Sequence, residues 1–183
     1  MDKRRMLIGL IVLLAIPLYI WIAYVEIPAK SKLGEEKLQQ DPRQHDFSQV
    51  LKYDNPYMGN ASNVGNLFQA LPLNDYKGTF EMDPDQLSLV MNYNVNAGEL
   101  EGRAEEAFLY NSTAAFLLIH NLDKLEMRFL DTSFVTTRNR VENWFGSEWE
   151  SLKNPEEFKK QVQQKLKDGE QEDWLQSYKE GDS

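Results

Sequence analysis

The chain holds 183 residues, carries a formal net charge of −9 and contains no cysteine. Without cysteine, disulfides, zinc thiolates, iron–sulfur ligation and a thiol nucleophile are all excluded. Lys3, Arg4 and Arg5 against Asp2 give the first five residues +2, so the rest carries −11, a field that repels nucleic acid and anionic headgroups.

Met6 to Val25 is twenty residues without a charged side chain. As a helix it rises about 30 Å, the thickness of a hydrocarbon core, with its backbone polar groups paired internally. The three cations before it put the N-terminus in the cytoplasm and everything after Glu26 outside. Tyr19, Trp21 and Tyr24 then sit at the outer headgroups. A cleaved signal peptide shares the charged start, but this apolar run is longer than the usual signal core. Ala23 and Ala29 also have Trp21 and Ile27 two positions upstream, where cleavage wants a small residue. The expected divisions are a cytoplasmic N-terminus (1–5), a transmembrane anchor (6–25), a spacer (26–46), an extracytoplasmic α+β domain (47–150) and a C-terminal helix with an acidic tail (151–183).

The spacer is polar, holds Pro28, Gly34 and Pro42, and is expected to form at most one helical turn, through Glu35–Gln40. Phe47, Gln49, Leu51 and Tyr53 alternate loosely and predict a first strand. After the turn Asn55-Pro56-Tyr57-Met58-Gly59-Asn60, Ser62 is expected to cap a helix carrying Val64, Leu67, Phe68 and Leu71, which Pro72 stops. Tyr76 to Met82 and Leu89 to Val95 alternate about the turn Asp83-Pro84-Asp85 and predict a hairpin with one apolar and one polar face.

Ala104, Phe108, Asn111, Ala115, Leu118 and Leu122 step at helical spacing along a long helix. Because Phe116 to Ile119 is apolar nearly all round, this should be the most deeply packed element. Lys124 to Asp131 returns to strand alternation, with Leu125, Met127 and Phe129 inward. A short helix carrying Val141, Trp144 and Phe145 is capped near Thr136 or Thr137 and ended by Gly146. The resulting βαββαβ order is that of ferredoxin-like folds, a small antiparallel sheet with helices on one face. Asn154-Pro155-Glu156-Glu157 starts a last helix that Gly169 ends. The final residues are expected to be acidic and mobile, with Trp174, Leu175 and Tyr178 available to dock.

At Asn55-Pro56-Tyr57-Met58-Gly59-Asn60, Val64, Leu67, Leu71-Pro72-Leu73 and Tyr76-Lys77-Gly78, the chain resembles the bacterial domain of unknown function 4825 family. Leu89 to Tyr93, Asn121-Leu122-Asp123 and Arg138 to Gly146 extend the likeness, which covers roughly Phe47 to Trp149. The resemblance implies a membrane-anchored or exported domain of Bacillus-like organisms. It brings no catalytic residues with it. The chain departs from the family at Asn60-Ala61-Ser62, where an aspartate is expected soon after the glycine, and in its long C-terminal extension.

Only His45 and His120 offer imidazole. His45 falls in the spacer and is expected to be solvated; His120 ends the long helix, where a cation is favourable. The alternative is a cell-envelope hydrolase using His120 or the acidic clusters; a triad of His120 with Asp123 and some serine has no Gly-x-Ser-x-Gly elbow to present that serine. Glu81, Asp83 and Asp85 are read as a hairpin turn, and Glu99, Glu101, Glu105 and Glu106 as a helix start, rather than as calcium ligands. Two sequons, at Asn60 and Asn111, are assigned to a helix cap and to mid-helix. Asn111 should be a buried amide bonded to a loop carbonyl. Trp144, Phe145 and Trp149 are expected to pack the last helix rather than form a carbohydrate platform.

No catalytic, metal or cofactor site is therefore expected. The reading is a non-enzymatic, protein- or ligand-binding module of the cell envelope, held to lipid by residues 6–25 and binding no nucleic acid. Its partner face is the polar side of the sheet: Lys77, Thr79, Glu81, Asn92, Asn94 and Arg128.

Overall fold

The computed structural model describes residues 15–169 and 171–179. The chain divides into two units between Leu38 and Gln39. In the first, residues 15–21 are helical and run through a π-helical turn, Ile22–Glu26, into α1 (Ile27–Gln39). Residues 1–5, and 6–14 of the expected anchor, lie outside the described residues. Ile16, Leu18, Tyr19 and Trp21 are each more than half exposed. Among the described residues no helix is long and apolar enough to cross a membrane. Where an irregular spacer is expected the chain is helical, because Lys, Glu, Gln and Leu are good helix formers and outweigh Gly34.

The second unit is α+β, built on one four-stranded sheet. Its elements are α2 (Ala61–Ala70), β1 (Lys77–Asp83), β2 (Ser88–Tyr93), α3 (Arg103–Leu118), β3 (Lys124–Arg128), β4 (Ser133–Thr137) and α4 (Arg138–Phe145). There follow α5 (Pro155–Phe158), a π-helical turn Lys159–Gln163, α6 (Gln164–Asp168) and α7 (Gln171–Lys179). The sheet order is β1-β2-β3-β4, with β2 and β3 parallel and the outer pairs antiparallel. The expected ferredoxin-like βαββαβ order and wholly antiparallel sheet are thus corrected: the order is αββαββ and the sheet is mixed.

The expected first strand is absent. Asp46 accepts from Ser48 N at 3.0 Å and starts two 3-10 turns, Phe47–Gln49 and Leu51–Tyr53. Three-residue spacing buries Phe47 and Val50 together, and Phe47 stacks on Phe158 with ring centroids 3.7 Å apart. An aspartate bonded to the backbone two residues on favours a turn over a strand. The fourth strand is instead β4, whose short Ser-Phe-Val-Thr-Thr run is β-branched and aromatic and so suited to a strand. The α2 cap also moves, from Ser62 to Asn60, whose side chain accepts from Asn63 N.

Helix α3 is the centre of the core. Fourteen of its sixteen residues are buried, all but Arg103 and Glu105. Ser112 and Thr113 donate within the helix to the carbonyls of Phe108 and Leu109, and Asn111 Nδ2 donates to Pro72 O at 3.0 Å, while its Oδ1 is buried without a hydrogen-bond partner. That last bond is the loop-carbonyl partner expected for Asn111. One sheet face, with Leu89, Met91, Leu125, Met127, Phe134 and Thr136, is buried. Helix α2 contacts β1, and α3 and α7 contact β4.

The C-terminal extension belongs to this core. Asn154 caps α5 through its side chain with Pro155 at the first helical position. Phe158, Val162 and Leu166 are fully buried. The tail is not mobile over 171–179: it forms α7, and Trp174 and Tyr178 are fully buried. Tyr178 OH lies 2.9 Å from Thr113 Oγ1, and the rings of Trp174 and Trp144 stack 6.0 Å apart.

Candidate functional site

Strand alternation sends the second sheet face outward. The register sets Glu81, Val90, Glu126 and Val135 in one cross-strand row and Asn92, Arg128 and Ser133 in the next. Arg128 joins the rows, Nε to Glu126 at 2.9 Å and Nη1 to Glu81 at 3.8 Å. Asn92 Nδ2 donates to Thr79 O at 3.2 Å. Of the six residues expected on this face, Thr79, Glu81, Asn92 and Arg128 are brought together. Lys77 and Asn94 stand at its end, where a register shift between Lys77 and Phe80 breaks the alternation. There the Asn94 side chain packs on Gly78, at which a Cβ would lie 3.1 Å from Nδ2.

A second constellation forms where α3 ends. The Asn-Pro turn after the 3-10 segments meets that end: Asn55 N donates to Leu118 O, His120 N donates to Asn55 O, and Met58 N donates to Asn121 Oδ1. These bonds set Asp54 beside His120. His120 Nε2 donates to Asp54 Oδ1 at 2.5 Å, and Lys153 Nζ donates to Asp54 Oδ2 at 3.1 Å. The two nitrogens are 3.2 Å apart, two donors held together by one carboxylate. Burial pushes the Asp54 carboxyl up, but bonds and charge from Lys153 and His120 outweigh it and hold it below the usual range.

Beside this cluster lies a cleft of about 240 Å³. It is lined by the buried Phe116 and Leu117 and by His120, Lys153, Arg138, Glu142, Trp149 and Glu150. Arg138 is committed to structure. It donates from Nη2 to Ile119 O at 2.7 Å and from Nε to Leu122 O at 2.9 Å, lies over the Phe116 ring, and pairs with Glu142 at 3.2 Å. It caps the carbonyl end of α3, the role expected of His120.

His45 is not solvated. It is 2 % exposed, with Nε2 donating to Ala70 O at 2.8 Å and Nδ1 accepting from the Tyr110 hydroxyl at 2.6 Å. Desolvation pulls its pKa down, more than the Ala70 bond and the Asp46 charge raise it. Gln163 Nε2 closes over this segment, donating to Pro42 O and His45 O.

The acidic clusters do not converge on His120. Asp83 Oδ1 accepts from Asp85 N and Gln86 N, as a hairpin turn should. Glu106 is buried against Arg43, and burial raises its pKa more than Arg43 lowers it. Among the described residues no group of three or more His, Cys, Asp or Glu side chains is placed to hold a metal ion. Of the three aromatics near the last helix, Phe145 is buried and Trp144 stacks on Trp174, while Trp149 lines the cleft.

Asp54, Arg138, Glu142, Glu150 and Lys153 were not candidate site residues in the sequence. Asp54 and Lys153 are ninety-nine positions apart, and no local pattern announces such a pair.

A family model described as Domain of unknown function (DUF4825) matches residues 50–138. The match takes in all four strands, α3, Asp54, His120 and, as its last residue, Arg138. It stops short of Glu142, Trp149, Glu150 and Lys153, so the cleft joins a family-derived wall to one from the C-terminal extension. No curated protein and no solved structure matches the chain.

Proposed function

We propose that this chain, which belongs through residues 50–138 to the DUF4825 family, is a membrane-tethered, non-enzymatic binding module whose open sheet face docks another protein of the cell envelope. The observation that carries the reading is the ordered polar patch of Glu81, Glu126, Arg128 and Asn92 across two rows of the sheet, facing solvent on the side opposite the buried core face. Ion pairs held on strands give a partner a rigid pattern of charge, which favours specificity over raw affinity. The tether reading is supported by the uncharged run Met6 to Val25 and by the exposed apolar side chains of its described part. Its orientation follows from Lys3, Arg4 and Arg5.

A photo-cross-linking residue at Thr79, introduced in intact cells, tests the docking face. One discrete adduct is expected, and Arg128→Glu should abolish it. Recovery of the tagged protein alone, or an adduct indifferent to Arg128, overturns the reading. Protease added to spheroplasts tests the topology separately: residues beyond 26 should be digested, and full protection refutes the orientation.

One observation favours an envelope hydrolase instead: His120 lines a cleft together with Glu142 and Glu150. Turnover of chromogenic ester, phosphate or glycoside substrates that vanishes in His120→Gln would replace the binding-module reading.

A further inference from the structure

We infer that the cleft at the end of α3 binds a neutral sugar unit of a glycan. The inference stands on this cleft alone, independent of the sheet face and of the tether.

Size restricts the ligand first. About 240 Å³ falls below the usual range of drug-sized pockets, so the occupant is a small unit.

Charge restricts it next. The two permanent cations of the lining are already neutralised, Arg138 by Glu142 and Lys153 by Asp54. An anion would have to displace a carboxylate already in place. Glu150 lines the same cleft and has no ion-pair partner among the described residues, but a cationic ligand reaching it would meet Arg138 and Lys153. What remains favoured is a neutral ligand rich in hydrogen-bonding groups.

The lining holds both donors and acceptors. His120, Lys153 and Arg138 donate; Glu142 and Glu150 accept. A hydroxyl does both, so a polyhydroxylated ring can bridge the two kinds through charge-assisted bonds without disturbing the ion pairs. Trp149 supplies the other half of sugar recognition. Its indole lines the cleft and is braced by Phe145, with centroids 6.3 Å apart. It gives the apolar C–H face of a sugar ring a flat, polarisable surface.

Saturation-transfer NMR on the full chain in lipid nanodiscs tests this, since alkyl-glycoside detergents are themselves sugars. The probes are N-acetylglucosamine, its β-1,4 tetramer and methyl β-glucoside, with acetate, putrescine and leucine as charged comparators. Ring-proton transfer from at least one sugar is expected. Trp149→Ala should weaken it about tenfold, the loss of one good contact. Glu150→Gln, at an exposed position and so without effect on folding, should weaken it about fivefold, and Asp85→Asn, on the hairpin turn, should not change it. Absence of transfer from every sugar overturns the inference. So does sugar transfer indifferent to both Trp149 and Glu150, or a charged comparator that alone binds with that dependence.

Discussion

His45 and Tyr110, sixty-five positions apart, share a buried 2.6 Å hydrogen bond in which the imidazole Nδ1 is the acceptor. Its other nitrogen donates to a carbonyl, so the neutral ring uses both of its positions without carrying a buried charge. The folded pKa is depressed by burial, and the unfolded chain therefore binds this proton first. Stability should be full above the unfolded pKa of about 6.5 and fall as pH drops below it, by up to about 1.4 kcal/mol per pH unit. Glu106 has the opposite sign: its folded pKa is raised, so acidification through that raised pKa down to the unfolded one works in favour of the folded state. Urea unfolding at pH 7.5, 6.5 and 5.5 should show the decline, and His45→Gln should flatten it. A wild-type slope unchanged by that substitution would contradict the assignment.

Arg138 holds the chain as it leaves α3 by the carbonyls of Ile119 and Leu122, a carboxylate and an aromatic ring. Arg138→Ala should cost about 1.5–3 kcal/mol, the range for hydrogen bonds to charged groups. Arg138→Lys should recover little of it, because an ammonium cannot reproduce the planar fork. Chemical denaturation of both variants decides, and an Arg138→Lys variant as stable as the wild-type protein would refute the capping role.

The Asp54–Lys153 pair is about two-fifths exposed on each side. Exposed ion pairs contribute little, and a double-mutant cycle with Asp54→Asn and Lys153→Met should return a coupling below about 1 kcal/mol. That coupling should shrink further in salt. A larger, salt-insensitive value would mean the cluster is structural rather than available at the cleft.

Trp174 and Tyr178 place the tail in the core. Trp174→Ala should cost about 3–5 kcal/mol, as large aromatic truncations in cores do. Tyr178→Phe removes the hydroxyl that bonds Thr113 while keeping the ring, and should cost about 1 kcal/mol. Truncation after Asp168 should unfold residues matched by the family model as well, visible as loss of far-UV circular dichroism beyond the nine residues of α7.

Where local chemistry decides structure, the sequence was legible. Alternation across Asp83-Pro84-Asp85 marked the hairpin and its two faces, and Asn154-Pro155 marked α5. The apolar surround of Phe116 marked α3, and the amide of Asn111 among apolar neighbours announced its partner carbonyl. Four of the six residues read as a polar face stand together because side-chain direction in a strand has period two. The failures were competitions between local patterns. Phe47 to Tyr53 alternates weakly, yet the Asp46 cap and burial of Phe47 against Phe158 select turns. Ser133 to Thr137 is too short to stand out, and becomes a strand because β3 offers it a ladder.

By itself, the sequence determined what this protein lacks and how its elements are patterned: no cysteine chemistry, an acidic chain after a long apolar run, strands with one polar face. These are properties of composition and of near neighbours along the chain. Only the tertiary structure decided that His45 is buried and His120 is not, that Asp54 meets Lys153, that Trp149 opens onto a cleft, and that the tail fills the core. Each depends on contacts between residues tens of positions apart, whose closure is set by the packing of the whole core rather than by any local signal.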